Sequence, residues 1–176
     1  EGDDSIDWVF YEHVYDQLNG ALCFDRNRVF VVGSSSGAWL GNELACKYAG
    51  DALRPIRGAI TYGGGLPSEP RYAPTCSGKP MAGVWVHEVD STTTPFANAL
   101  VAVDRAMPLA GCSSGQTYAT ATFTSFPIGS GNADDVCQRV KGCDPLYPLV
   151  VCPLSEHSQG IHDSVVNPSA SVFVKL

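Results

Sequence analysis

Charge is scarce in this chain, and long apolar runs are absent. Asp, Glu, Lys and Arg make up 16% of its 176 residues, and acidic residues outnumber basic ones 18 to 11, for a formal net charge of −7. That balance argues against nucleic acid and anionic membrane surfaces as partners. No apolar run reaches the roughly 18 residues of a membrane span. No C-x-x-C pair suggests a zinc or thioredoxin-type centre. The opening Glu1-Gly2-Asp3-Asp4 is acidic and does not read as a signal peptide, which leaves a cytosolic, processed or fragmentary chain. What is present is 44% hydrophobic residues, enough for a folded core, in a length that suits one domain.

Cysteine is the exception to this plainness. Seven cysteines (Cys23, Cys46, Cys76, Cys112, Cys137, Cys143 and Cys152) are scattered among Ser-, Gly- and Pro-rich stretches. That usage predicts disulfides, an oxidising compartment and a secreted protein. The odd count leaves at least one cysteine unpaired within the chain. Cys46, inside a helical stretch, reads as a buried thiol. Cys137 with Cys143, and Cys112 with Cys152, are candidate pairs.

Periodicity predicts the elements. Ile6 to Leu22 reads as a helix whose apolar face is formed by Ile6, Val9, Phe10, Val14, Leu18 and Leu22. Val29 to Val32 is a short β-branched strand of the doubly buried kind. A second helix runs to about Tyr48. Ile56 to Tyr62 and Met81 to His87 read as further strands, separated by a Pro-rich loop from Leu66 to Pro80. Pro95 to Met107 is a helix, and Tyr118 to Phe126 a strand or ribbon. A short helix is expected around Asp134 to Val140, then a last strand within Leu146 to Leu154 and a final helix opened by Asn167-Pro168. The order predicts an α/β fold: a parallel sheet with helices on both faces, and reactive groups at the carboxyl ends of its strands.

The chemistry centres on Gly33-Ser34-Ser35-Ser36-Gly37, a G-x-S-x-G turn between a strand and a helix. Such a turn exposes a serine hydroxyl above the sheet, and its flanking glycines avoid steric crowding. A serine needs a base to take its proton and a carboxylate to orient that base. Ser35, then Asp90, then His162 or His157 follow three different strands in the order Ser, Asp, His. His162 is the preferred base and His157 the alternative. The backbone N–H of Ser36 is the expected oxyanion donor. His87 and His13 read as structural or packing residues, and no metal or cofactor is expected. Trp39, Tyr62 and Trp85 are candidates for an acyl pocket or for the core.

These motifs resemble those of the polyhydroxybutyrate-depolymerase-like esterases, a group that includes feruloyl and acetylxylan esterases of carbohydrate esterase family 1. Cys23-Phe24-Asp25-Arg26-Asn27-Arg28-Val29-Phe30 is similar to that family's entry to the elbow strand. The G-x-S-x-G turn is followed by Leu44-Ala45-Cys46, and Val86-His87-Glu88-Val89-Asp90 resembles its acid loop, with Glu88 replacing a glycine. Tyr147 to Cys152 resembles its last strand. The resemblance implies an α/β-hydrolase fold that lacks its N-terminal strands here, completed by a missing segment or second chain. It also implies a secreted serine esterase without cofactor, acting on feruloyl or acetyl esters of plant polysaccharide or on a polyester. A non-catalytic carbohydrate-binding relative is the alternative.

Overall fold

The computed structural model describes residues 6–66, 76–127 and 136–154. Three helices and six strands follow in chain order: α1 (Ile6–Ala21), β1 (Phe30–Ser34), α2 (Ser36–Tyr48), β2 (Gly58–Tyr62), β3 (Ala82–Glu88), α3 (Phe96–Leu109), β4 (Phe123–Pro127), β5 (Val136–Val140) and β6 (Leu149–Leu154). The strands form one sheet in the order β1-β2-β3-β6-β5-β4. The strands β1, β2, β3 and β6 are mutually parallel. Strand β5 runs antiparallel to β6, and β4 runs antiparallel to β5, so β5 alone is reversed among the described strands. The fold is α/β, but its sheet is mixed rather than wholly parallel.

Strand β5 accounts for that difference. The stretch expected to be a short helix around Asp134 to Val140 is extended from Val136. Five residues are too few for apolar spacing to separate a helical from an extended period, and tertiary pairing decides. Cys137 is fully buried and bonded through sulfur to Cys152 on β6, next to the register pair Gln138 and Val151. Tyr118 to Thr120 form a turn of 3-10 helix, so the expected ribbon narrows to β4.

Strand alternation sorts the core into two faces. Register aligns Val31, Ala59, Gly83 and Leu149, and next to them Gly33, Thr61, Trp85 and Val151, on one face. On that face α2 packs over β1 and β2, and α3 over β3 and β6. Trp85 donates its indole N–H to Asn42 on α2 at 2.9 Å and lies in a cluster with Val103 and Met107 of α3. The opposite face carries Ile60, Val84, Val86, Val150 and Cys152. Among the described residues all three helices belong to the first face, so the expected two-sided covering is not seen there. The final helix expected from Asn167 lies outside the described residues.

Helix α1 packs differently from its predicted apolar face. Trp8 and Tyr11 join the cluster of Leu44, Tyr48 and Ile56, Tyr15 is buried, and the Tyr48 hydroxyl donates to Glu12 at 2.7 Å. Arg54 clasps Asp16 through two N–H donors at 2.9 and 2.8 Å. The apolar residues are left outside: Ile6 is 82% exposed, Phe10 67%, Val9 54% and Leu18 45%. Aromatic side chains, with more area per residue than aliphatic ones, take the contact with α2.

The disulfides join Cys46 to Cys76, Cys112 to Cys143, and Cys137 to Cys152. Both expected pairings are therefore replaced, and Cys46 is bonded rather than a free thiol. Cys23 is the free, exposed cysteine. For Cys137 and Cys143 proximity along the chain misled; the backbone brings the true partners together. Asp144 N–H donates to the Ala110 carbonyl at 2.8 Å and sets Cys143 beside Cys112. Likewise Ser77 N–H donates to the Cys46 carbonyl at 2.9 Å, next to Cys76.

Candidate active site

Ser35 stands between β1 and α2 with φ 53° and ψ −122°. It is the one non-glycine residue with positive φ among the described residues. A backbone of this kind costs an L-residue about 1–3 kcal/mol and persists only where neighbours over-determine it. Here the Ser35 N–H donates to the Tyr62 carbonyl at 2.9 Å, and its carbonyl accepts from Ala38 and Trp39 N–H at 2.9 and 3.3 Å. The side chain is exposed and does not cap the helix, so the hydroxyl is not committed to holding the turn.

Gly33 is sterically required: a Cβ there would lie 2.1 Å from the Gly37 carbonyl oxygen. The expectation for Gly37 differs, because a Cβ at that position would meet nothing within 4 Å. Gly64, not singled out from the sequence, also belongs to the turn; its Cβ would lie 2.5 Å from that of Ala38 and 2.9 Å from the Ser35 carbonyl oxygen.

Ser36 opens α2. Its N–H is among the first donors of a helix, which have no partner within that helix. These donors point along the positive end of the helix dipole. A donor at a helix N-terminus beside a serine can stabilise negative charge on an oxygen atom.

Asp90 lies in an exposed turn just after β3. Since β1 and β3 are parallel and flank β2, Ser35 and Asp90 rise from the same edge of the sheet. Two strand spacings, about 10 Å, separate the strands that carry them. Strand β6 pairs with β3 and also ends on this edge. The Leu154 carbonyl accepts the Val89 N–H at 3.0 Å, so the chain leaves β6 beside the Asp90 turn. His157 and His162 follow Leu154 and lie outside the described residues.

Two further side chains stand on this edge. The Tyr62 hydroxyl donates to the Glu88 carboxylate at 2.8 Å, joining β2 to β3. Burial, then the Glu88 bond, hold the Tyr62 hydroxyl above the usual tyrosine range, so it remains a donor. Tyr62 thus supports Ser35 through its carbonyl and Glu88 through its hydroxyl. The sequence offered no signal for Glu88 beyond its departure from the resembling motif. His87 is fully buried. Its Nδ1 lies 2.8 Å from the Glu88 carbonyl oxygen, and its Nε2 has no hydrogen-bond partner. The ring packs 5.7 Å from Phe96. Trp85 is 1% exposed and belongs to the core rather than a pocket. No group of three or more His, Cys, Asp or Glu suited to a metal ion occurs among the described residues.

Fold and site together define an α/β protein with a strained, exposed serine at the carboxyl edge of a mixed sheet. Comparison of the chain with protein-family models and with curated proteins finds no match.

Proposed function

We propose that this protein is a serine ester hydrolase, and the observation that carries the reading is the Ser35 backbone. A strained non-glycine conformation is retained at the one serine whose hydroxyl is presented, unused for capping, at a strand-to-helix turn. Structural turns gain nothing from such strain; a nucleophile gains exposure and a helix N-terminus at its side.

In this reading Ser35 Oγ attacks the ester carbonyl carbon while its proton passes to a histidine, His162, with His157 as the alternative. Negative charge on the former carbonyl oxygen is met by the Ser36 N–H. Asp90 orients the imidazole and stabilises its cation. The tetrahedral intermediate then expels the alcohol, which takes the proton from the imidazole, and leaves an acyl group on Ser35. Water, deprotonated by the same histidine, attacks the acyl carbon and releases the acid. No metal or cofactor enters. Feruloyl or acetyl esters of plant polysaccharide, or a polyester, are the substrate classes that the resemblance suggests. Secretion agrees with three disulfides and with the absence of a helix long and apolar enough to cross a membrane among the described residues.

The test is hydrolysis of p-nitrophenyl acetate, with labelling by a fluorophosphonate probe. Ser35→Ala is expected to lower kcat by about 10⁴-fold or more and to abolish the mass increment that the probe leaves on the wild type. Equal rates and equal labelling in the two proteins would falsify the esterase reading. Loss of activity in His157→Ala but not in His162→Ala would reverse the assignment of the base.

A further inference from the structure

The end of the sheet opposite Ser35 carries a second concavity. Asn27 precedes β1, Arg57 precedes β2 and Pro80 precedes β3, and with Arg26, Lys79 and Tyr147 they line a cavity of about 300 Å³. Because the three strands are parallel, these residues stand at their amino ends, whereas Ser35 follows the carboxyl end of β1. A strand of five residues separates the two ends by about 17 Å. The cavity is therefore distinct from the candidate active site.

Its charge runs against that of the chain. In a protein of formal net charge −7, Arg26, Arg57 and Lys79 line one cavity. The carboxylates nearest to them in sequence are committed to backbone turns. Asp25 accepts the Asn27 N–H at 2.9 Å, Asp51 accepts the Leu53 and Arg54 N–H at 2.9 and 2.6 Å, and Asp144 accepts the Leu146 N–H at 2.8 Å. The ion pairs among the described residues join Arg54 to Glu12 and Asp16. Among those residues, Arg26, Arg57 and Lys79 have no carboxylate partner.

Each cation is nevertheless held in place. The Arg57 guanidinium lies 4.0 Å from the centre of the Tyr147 ring and donates through Nη2 to the Leu146 carbonyl. Stacking fixes its plane and leaves the rest of its donor fork for a ligand. Arg26 donates to the Tyr15 hydroxyl at 3.3 Å and to the Ala52 carbonyl at 3.2 Å. The Lys79 stem rests on Gly50, whose φ is 59° and where a Cβ would lie 2.9 Å from that of Lys79. The Lys79 N–H donates to Ser77 Oγ at 3.2 Å, Ser77 Oγ donates to the Ala49 carbonyl at 2.8 Å, and Cys76 is bonded to Cys46. Groups held in place before binding lose less entropy when a ligand arrives.

We propose that this cavity binds a sugar ring that carries an oxyanion, a carboxylate or a phosphate, bridged between Arg57 and Lys79. A guanidinium fork and an ammonium suit such a group through charge-assisted hydrogen bonds. An oxyanion is the size of a few waters, at about 30 Å³ each, and fills only part of the cavity. The remaining wall joins Pro55, Ile56 and Pro80 to Asn27. Apolar and polar surface side by side matches the C–H face and the hydroxyls of a sugar.

The site is independent of the esterase reading, and its readout is binding rather than hydrolysis. Trigalacturonate, glucose 6-phosphate, inorganic phosphate and glucose are each titrated into the purified chain, followed by calorimetry and by NMR. At least one of the two acidic sugars is expected to bind and to shift the Arg57 and Lys79 amide signals, with glucose inert. Binding of trigalacturonate would assign the ligand to an acidic polysaccharide, and binding of glucose 6-phosphate alone to a free sugar phosphate. Arg57→Gln and Lys79→Met are each expected to weaken binding about tenfold or more, and added salt to weaken it in the wild type. Lys79 is exposed, so Lys79→Met keeps the test open should Arg57→Gln fail to fold. Absence of binding by both acidic sugars, or equal binding by wild type and both variants, would overturn the proposal. So would inorganic phosphate or glucose binding as tightly as the acidic sugars.

Discussion

The two ends of the sheet are finished in opposite ways. At the β4 end, Thr124, Ser125 and Pro127 leave an edge of modest polarity closed by a proline, of the kind that resists further pairing. Behind it, Cys137–Cys152 staples β5 to β6, and Cys112–Cys143 ties the end of α3 to the loop after β5. The β1 end has no disulfide among its own residues, no charge and no proline, yet it carries the strained serine. Two of the three disulfides stand at the β4 end, and the strained serine stands beside β1, whose outer side carries no strand among the described residues. Strain at Ser35 is sustained by local hydrogen bonds to Tyr62, Ala38 and Trp39, so the turn does not depend on the stapled end for its geometry.

If chemistry belongs to the β1 half and the disulfides at the β4 end serve stability, their variants separate by readout. The largest effect is expected for Asp90→Asn, a loss of about 10⁴ in kcat with little change in unfolding midpoint. Glu88→Gln is expected to cost less than about tenfold, because Glu88 already serves Tyr62; equal losses in the two variants would make Glu88 the orienting carboxylate. Replacing Cys137 and Cys152 together with alanine is expected to cost about 3 kcal/mol in urea unfolding, the chain-entropy value for a separation of 15 residues. The folded variant should still label at Ser35; loss of labelling would tie the elbow to the stapled end.

Gly33→Ala places a methyl group against the Gly37 carbonyl and is expected to lose about 1–3 kcal/mol, with activity falling as the turn shifts. Ser35→Gly should do the reverse for stability. It relieves the positive φ and is expected to raise stability by about 1 kcal/mol, a rise in Tm of about 2–4 °C, while abolishing hydrolysis. A fall in stability would show that the turn is not strained. The smallest effect belongs to the exposed Asp16–Arg54 pair. Its hydrogen bond to Arg54 holds the Asp16 carboxyl below the usual range. The stabilisation is therefore present above the ordinary carboxylate pKa and is lost as pH falls through the lowered one. Stability of wild type and Asp16→Asn should differ slightly at pH 7 and converge in acid.

Much of the architecture was legible because strong local patterns carried it. The β-branched run at β1 and the apolar runs at β2, β3 and β6 can only be buried, and the spacing of α2 and α3 suits one-sided packing. The serine turn was legible because glycine and serine at that spacing have a steric cause, which Gly33 displays and Gly37 does not. What was not legible depended on pairing at a distance. Nothing near Val136 announces an antiparallel partner on β6. Nor does the spacing of Cys112 reveal Cys143, since a hydrogen bond from Asp144 to Ala110 makes that meeting. The apolar periodicity of α1 marks a face that the structure leaves mostly outside, because aromatic side chains make the contact with Tyr48 on α2.

By itself the sequence determined the alternation of strands and helices, the disulfide-rich character and the serine turn, because each follows from interactions within a few residues. The tertiary structure alone decided the order and mixed direction of the strands and the disulfide partners. It also placed Ser35, Tyr62, Glu88 and Asp90 at the same end of the sheet. These depend on which surfaces find one another when the chain collapses, and burial is indifferent to sequence distance.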